Sequence, residues 1–202
     1  MNQLIFGIPL FKYYLDPTEI QLLAEQKFQQ CEKFPIHKTP SGWDCDLRTE
    51  FNSSRNNEYA HYYNGIMDRF SNDLTLEGGR CYIDESWINS YGLDENQEEH
   101  DHLPGFYSAI HYVKFNPEVH KPAVFINPLM QLYSYMNNEV NYGKHPDYMQ
   151  VDFEPDVKEG DIIIFPSWLK HTVKRNKTDQ HRITLAFNIN TMKGSTRRVF
   201  GQ

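Results

Sequence analysis

The sequence contains few cysteines. Three occur among 202 residues, Cys31, Cys45 and Cys81, and their number is odd and their spacing irregular. Disulfide scaffolds and cysteine-rich zinc sites both need cysteines in regularly spaced sets. We therefore predict reduced thiols with a structural role, in a cytoplasmic protein.

Long hydrophobic runs are absent as well. No apolar run in the sequence approaches the roughly 20 residues needed to span a bilayer, and the mean hydropathy is −0.69. Residues 1–19 lack a basic start and a small-residue cleavage site, so we expect no signal peptide. The sequence predicts a protein that does not enter a membrane.

Positive charge is scarce. Lys and Arg total 20 against 27 Asp and Glu, which gives a formal net charge of −7. Nonspecific nucleic-acid binding depends on clustered Lys and Arg, and the short basic groups at 174–177 and 197–198 are expected to be solvated surface. We therefore expect no nucleic-acid partner.

From about residue 80 the chain consists of short runs rich in β-forming residues, separated by Gly, Pro, Asn and Asp. This sequence pattern is typical of a β-sandwich or β-barrel. The candidate strands are CYIDESWIN, FYSAIHYVKF, PAVFINP, YMQVDFEP, DIIIFP, HTVKR and RITLAFNIN. We predict a mainly β jelly roll, with N-terminal helices packed outside one sheet. We expect a single domain, with an N-terminal strand and helices in 1–78, the jelly-roll core in 79–192 and a tail in 193–202. Residues 131–148 are predicted to form a surface loop that borders a site.

Two helices are predicted before residue 80. Asp16 can cap a helix that has Pro17 at its first position. The apolar residues that follow at helical spacing are Ile20, Leu23, Ala24 and Phe28, and a second stripe comprises Tyr59, Tyr62, Tyr63, Ile66 and Phe70. Both stripes are interpreted as core packing.

His100 and His102 are two positions apart in the stretch EEHDHLPGFYSAIHYVKF. In an extended chain such side chains leave the same face, so two imidazoles can converge on one metal ion. The alternative is that both are exposed residues of the acidic loop LDENQEEHDH. His171 follows the apolar run Ile162–Phe165 and offers a third imidazole. Neutral imidazoles suit Fe, Zn, Cu and Ni, so the pattern does not name the metal.

Arg182 begins the run RITLAFNIN, eleven positions after His171. Its guanidinium can bind a carboxylate through two hydrogen bonds, and Thr184, on the same strand face, can add a third. Arginine at a strand start is more often a surface ion pair. Combined with the histidines, however, it favours a site for a small dicarboxylic acid.

HDH, FYSAIHYV, GDIIIFPSWLKHTV and HRITLAFNI together resemble the 2-oxoglutarate- and Fe(II)-dependent oxygenases common in phages, especially cyanophages, and in marine bacteria. The early segments IFGIPLFKYYL and SGWDCDL resemble the opening strand and Gly-Trp segment of that family. The resemblance implies a double-stranded β-helix, which is a cupin-like jelly roll. For a phage-encoded protein, it would place the enzyme in the host cytoplasm.

The resemblance also implies the cofactors Fe(II), 2-oxoglutarate and O2, with ascorbate as a candidate reductant. Arg182 would pair with the distal carboxylate of 2-oxoglutarate, helped by Thr184, while Tyr112 and Asn89 are further candidates for lining the pocket. The superfamily's metal motif is His, any residue, then Asp or Glu, with a distal His, whereas this chain has His102 in the carboxylate position. The first choice is therefore a three-histidine site, and the second uses Asp101 or Glu98 through a local bulge.

We expect the reaction to be hydroxylation of an unidentified substrate, with a slight preference for a protein or peptide side chain over a small molecule. One alternative is a three-histidine, cupin-type dioxygenase that does not use 2-oxoglutarate. Another is a non-catalytic metal-binding structural module, and a further one is a zinc hydrolase. Among the other histidines, His120, His145 and His181 are predicted at the surface.

Overall fold

The structure is a computed structural model that describes residues 3–5, 7–31, 48–52, 59–74, 76, 79–129 and 151–192. The predictions for residues 41–47, 131–148 and 193–202, and for Cys45 and His145, therefore lie outside the described residues. The elements before residue 80 are β1 (Gln3–Ile5), β2 (Ile8–Tyr14), α1 (Thr18–Cys31), β3 (Arg48–Asn52), a 3-10 helix (Ala60–Tyr63) and α2 (Asn64–Asp73). The second predicted helix is thus a 3-10 turn that continues into α2.

Eight further strands follow and form most of two antiparallel sheets. They are β4 (Arg80–Tyr91), β5 (Gln97–His100), β6 (Tyr107–Lys114), β7 (Ala123–Ile126), β8 (Asp152–Phe153), β9 (Asp161–Pro166), β10 (His171–Val173) and β11 (Arg182–Met192). One sheet has the order β1-β2-β9-β6-β11-β4-β3, and the other has the order β5-β10-β7-β8. This arrangement confirms the predicted mainly β jelly roll.

The large sheet has two apolar faces because side chains alternate along each strand. On β11, Leu185 and Phe187 belong to the cluster shared with the helices, whereas Thr184 and Ala186 face the small sheet. The cluster between the sheets includes Ile110, Ile163 and Phe165 from the large sheet and Ala123, Phe125 and Val173 from the small one. The space between the sheets is therefore bounded on both sides by buried residues.

The helices cover the outer face of the large sheet, as predicted. Asp16 caps α1, since its Oδ1 accepts a hydrogen bond from the Thr18 backbone N–H at 3.0 Å. Ile20 of α1 and Phe70 of α2 are buried in the cluster that contains Ile164 of β9. Within the described residues, the helices lack the length and the apolar character of a membrane-spanning segment.

A buried polar pair lies under the helices. Tyr63 and His111 are both completely buried, and the Tyr63 hydroxyl lies 2.8 Å from His111 Nδ1 in a hydrogen bond. Burial lowers the pKa of His111 to about 4, although the Leu15 carbonyl and the Asp161 carboxylate oppose the shift. His111 is thus a neutral core residue of the outer face, away from the pocket between the sheets.

The buried His111 predicts a pH dependence of stability. Between its ordinary pKa of 6.5 and its folded pKa of about 4, only the unfolded chain binds the proton. Stability that is complete above pH 6.5 is therefore lost as the pH falls toward 4, by about 3 kcal/mol for this group. Chemical denaturation of the metal-free protein should show that His111→Asn loses less free energy of unfolding over this range than the parent. His61→Asn, at an exposed position, should match the parent, and equal pH slopes in all three proteins would contradict the account.

Candidate metal centre and cosubstrate pocket

One pocket between the sheets contains every residue that the sequence singled out for metal or cosubstrate, apart from the alternative ligands. Its lining comprises Trp87, Asn89, Tyr91, Gln97, His100, His102, Ile110, Tyr112, Ala123, His171, Val173, Arg182, Thr184 and Ala186. The large sheet supplies one wall, and β5, β7 and β10 supply the other.

Three imidazoles meet at one end of this pocket. His100 ends β5, His102 follows it, and His171 begins β10, where it pairs with His100 across the ladder. One ring nitrogen from each histidine lies within 4.8 Å of the others, and the Nε2 atoms of His102 and His171 are 3.3 Å apart. Neighbouring ligands with metal–nitrogen bonds of about 2.1 Å are separated by about 3 Å at right angles. The spacing therefore fits a common metal ion.

Backbone carbonyls orient two of the rings. His100 Nδ1 lies 2.7 Å from the Glu98 carbonyl and His171 Nδ1 lies 3.2 Å from the Leu169 carbonyl. A carbonyl only accepts, so each Nδ1 carries the hydrogen and each Nε2 keeps its lone pair. Such outer partners are what fix metal-ligating histidines.

Burial keeps the imidazoles neutral. It lowers the pKa of all three rings, well below the ordinary value for His171 and to about 3 for His102, and their mutual proximity lowers those of His102 and His171 further. A neutral imidazole is the form that binds a metal. The group is therefore ready to accept a cation near neutral pH.

The structure does not bring the alternative ligands into this group. Asp101 Oδ1 accepts a hydrogen bond from the Leu103 backbone N–H at 3.1 Å, and Glu98 is exposed. Among the described residues, the grouped metal-ligating side chains are His100, His102 and His171 alone.

The loop after His102 is held closely against the short turn that joins β9 to β10. The His102 backbone N–H donates to the Ser167 carbonyl at 2.8 Å, and the Gly105 backbone N–H donates to the His102 carbonyl at 2.9 Å. A Cβ atom on Gly105 would lie 2.8 Å from Ser167 Oγ and 2.9 Å from the His102 carbonyl oxygen. The His102 ring also stacks on Trp87, with centroids 5.4 Å apart.

Arg182 lies at the other end of the pocket, where it begins β11 opposite Tyr91. It is 2% exposed. Its guanidinium carbon lies 4.1 Å from the centre of the Tyr91 ring, and Nη1 donates to the Lys121 carbonyl. Nε and Nη2 are buried and have no partner among the residues that the structure describes. A buried cation with two unpaired donors is costly unless an anion joins it.

A polar row crosses the sheet beside Arg182. Thr184 of β11 is aligned with Asn89 of β4 on one side and Tyr112 of β6 on the other. The Tyr112 hydroxyl accepts from the Ala123 backbone N–H at 3.1 Å, so its own hydrogen remains available to a ligand. Asn89 Oδ1 is buried without a partner in the described part of the chain. All four predicted cosubstrate residues thus line one pocket.

Sequence reasoning missed several residues that line the pocket, among them Trp87, Tyr91 and Gln97, and it misplaced His120, which lies outside that lining. Trp87 stacks on His102, and its position two residues before Asn89 on one strand was a usable signal. Gln97 accepts from the Tyr91 hydroxyl at 2.9 Å, which no local pattern indicates. His120 was predicted at the surface, which is wrong: it is 4% exposed and lies between the Asn116 N–H and the Gln180 carbonyl. His181 is exposed as predicted.

Comparison with known protein families assigns the chain to one of them. Residues 85–188, slightly more than half of the sequence, match the family model described as "Putative 2OG-Fe(II) oxygenase", and the chain belongs to that family. It is a 2-oxoglutarate-dependent non-haem iron dioxygenase, and its cofactors are Fe(II) and 2-oxoglutarate. A comparison with curated proteins finds no match.

Solved structures share the fold at low identity. A prolyl-4-hydroxylase from Pseudomonas putida is 13% identical with a TM-score of 0.57, over 89% of this chain and 91% of that one. A viral collagen prolyl hydroxylase from Paramecium Bursaria Chlorella virus-1, in complex with 2-oxoglutarate, is 11% identical with a TM-score of 0.54, over 89% and 94%. HygX from Streptomyces hygroscopicus, with nickel and 2-oxoglutarate bound, is 12% identical with a TM-score of 0.53, over 90% and 82%. These similarities support the double-stranded β-helix.

Proposed function

We propose that His100, His102 and His171 hold the Fe(II) ion. Their converging nitrogens, two of them oriented by backbone carbonyls, and their lowered pKa values support the assignment. Bound Fe(II) supplies the redox chemistry, in which O2 oxidises 2-oxoglutarate to succinate and CO2 and one oxygen atom enters a substrate C–H bond. A third imidazole in place of a carboxylate leaves the ligand set neutral.

Arg182 is proposed to bind the distal carboxylate of 2-oxoglutarate. The observation that carries this proposal is that Nε and Nη2 are buried and unpaired in the pocket that also contains the three histidines. These two donors match the two oxygens of a carboxylate. Thr184 and the Tyr112 hydroxyl can each donate one further hydrogen bond, and the Asn89 amide lies in the same row.

The residues between the two ends have a different role. Trp87, Ala186 and Ile110 are buried or nearly so and form an apolar wall between the histidines and the polar row. A wall of this kind excludes water from the reacting groups and strengthens the electrostatic interactions inside the pocket. The protein's contribution is thus to orient the cosubstrate along the large sheet, with one carboxylate at Arg182 and the other end toward the histidines.

The primary reaction is proposed to be hydroxylation, with a protein or peptide side chain as the favoured substrate. Two of the solved structures with this fold are described as prolyl hydroxylases, which supports a peptide, although the fold also occurs in HygX. Three features remain predictions: that the protein belongs to the phage and marine group of the family, that it is cytoplasmic, and that it forms a single domain.

A product assay tests the proposed activity. With Fe(II), O2 and 2-oxoglutarate the protein should form succinate at a slow basal rate that an accepted peptide increases, and substitution of Zn(II) for Fe(II) should abolish it. Turnover of an organic substrate without 2-oxoglutarate would instead establish the cupin-type alternative.

The tight contact at Gly105 predicts a defect in metal binding. Gly105→Ala places a methyl group 2.8 Å from Ser167 Oγ and 2.9 Å from the His102 carbonyl, so the loop must move and carry His102 away from the other imidazoles. Losing the contacts that orient a metal ligand lowers the metal affinity by about 10- to 100-fold. Titration with Zn(II) would measure this decrease. Gly65→Ala is the control because its Cβ meets nothing within 4 Å. Unchanged affinity in Gly105→Ala would show that the loop does not position His102.

A further inference from the structure

One face of strand β4 runs past both the proposed carboxylate site and the proposed metal ligands. Tyr91, Asn89, Trp87 and Glu85 lie on one face of the strand, at every second position. Tyr91 contacts the guanidinium of Arg182, and Trp87 stacks on His102. Moving backward along β4 therefore leads from the proposed carboxylate site to the proposed metal ligands. Glu85 comes next, about 7 Å beyond Trp87 at the strand rise of about 3.4 Å per residue.

Glu85 is held in place by a chain of hydrogen bonds. Asn188 Nδ2 donates to Glu85 Oε1 at 2.6 Å, and Asn188 Oδ1 accepts from Ser108 Oγ at 2.8 Å. Ser108 Oγ lies 2.7 Å from Ser167 Oγ, and both serines are almost completely buried. Because the Glu85 carboxylate only accepts, the amide nitrogen must face it, and the orientation of Asn188 is fixed. A carboxylate positioned by a buried network loses little conformational entropy when it binds a ligand.

Glu85 has no cationic ion-pair partner in the described part of the chain. The residue is half-buried. Lys170, near the start of β10, is paired with Glu99 at 3.0 Å. A half-buried carboxylate binds most strongly to a cationic donor.

We propose that Glu85 binds an ammonium or guanidinium group of the primary substrate, on the far side of the metal ligands from 2-oxoglutarate. The proposal rests on the proposed function, since it assumes that the histidines hold iron and that Arg182 holds the cosubstrate. Arg182 would then bind the anionic cosubstrate near Tyr91, at one end of this face of β4, and Glu85 would bind a cationic substrate group at the other end. An anionic substrate would be repelled from the position next to the iron. The substrate class is a basic side chain or a small amine.

Four matched probes test this inference. They are the N-acetyl amides of lysine, arginine, norleucine and glutamate, which differ only in the side chain. Binding is measured by saturation-transfer NMR on protein loaded with Zn(II) and 2-oxoglutarate, which does not turn over. The lysine or arginine probe is expected to bind about five- to tenfold more tightly than norleucine, as for a partly buried charge pair, and glutamate is expected to bind least.

The variant Glu85→Gln should remove the preference, because it keeps the shape of the side chain and the acceptor for Asn188 but removes the charge. Glu118→Gln, an exposed acidic residue elsewhere, should keep it. Equal binding of the probes, a preference that survives in Glu85→Gln, or no binding of the cationic probes would each overturn the proposal. Metal and 2-oxoglutarate binding are measured on the same samples. If the parent protein fails to bind either the metal or 2-oxoglutarate, the proposed function is contradicted. If it binds both but does not discriminate among the probes, only the role of Glu85 is contradicted.

Discussion

Replacing His102 by alanine is expected to lower the affinity for Fe(II) by more than about 100-fold, since losing even an outer partner of a metal ligand costs about 10- to 100-fold. His102 Nε2 faces His171 Nε2 at 3.3 Å, and no carboxylate belongs to the group in the described part of the chain. Two imidazoles alone would remain. Anaerobic titration with Fe(II), or with Co(II) as a spectroscopic substitute, measures the change.

Three companion variants separate the ligand from its neighbours. His102→Asp should recover much of the affinity, because it provides the two-histidine, one-carboxylate set that Fe(II) accepts. Asp101→Ala should bind metal as the parent does, since Asp101 is engaged with the Leu103 backbone N–H. His61→Ala is the control at an exposed position. Normal binding in His102→Ala with loss in Asp101→Ala would assign the third ligand to the carboxylate instead.

Replacing Arg182 by methionine should remove most of the affinity for 2-oxoglutarate while leaving Fe(II) binding intact. The variant leaves the distal carboxylate buried without its cation, a loss of about 2–5 kcal/mol, or about 30-fold to several thousandfold in Kd. Arg182→Lys should recover only part of the affinity because an ammonium cannot provide the paired donors Nε and Nη2. Isothermal titration of the metal-loaded protein measures both.

The matched control is Arg175→Met, which removes an exposed guanidinium whose nearest carboxylate, on Asp94, is 3.8 Å away. It should bind 2-oxoglutarate as the parent does. If Arg182→Met keeps the parent's affinity for 2-oxoglutarate, the unpaired donors of Arg182 serve another ligand, and the cosubstrate must bind in a different orientation.

The strands of the jelly-roll core could be predicted because the residue pattern that indicates each strand lies within that strand's own sequence. Ile162 to Phe165 form an uninterrupted apolar run, and the structure places them in β9, buried on both faces. The alternation along Arg182, Thr184 and Ala186 likewise indicated one face of β11, and all three line the pocket. Hydrophobic period and turn residues carry this information without knowledge of the partner strand.

Features that depend on distant contacts could not be predicted in this way. Residues 97–100 are polar and are not among the predicted strands, yet they form β5 because their backbone pairs with β10, more than 70 positions later. The burial of His120 depends in part on the Gln180 carbonyl, which is 60 positions away in sequence and gives no local signal. The anchoring of Glu85 through Asn188 and Ser108 is equally non-local.

The proposed function requires three histidines and Arg182 to form one site for Fe(II) and 2-oxoglutarate. Anaerobic titration of the purified apoprotein, first with Fe(II) and then with 2-oxoglutarate, tests it most directly through the visible charge-transfer band of the iron-bound cosubstrate. We expect a band in the parent protein that is absent in His102→Ala and needs far more 2-oxoglutarate to appear in Arg182→Met. Tight Fe(II) binding with no band at saturating 2-oxoglutarate would contradict it.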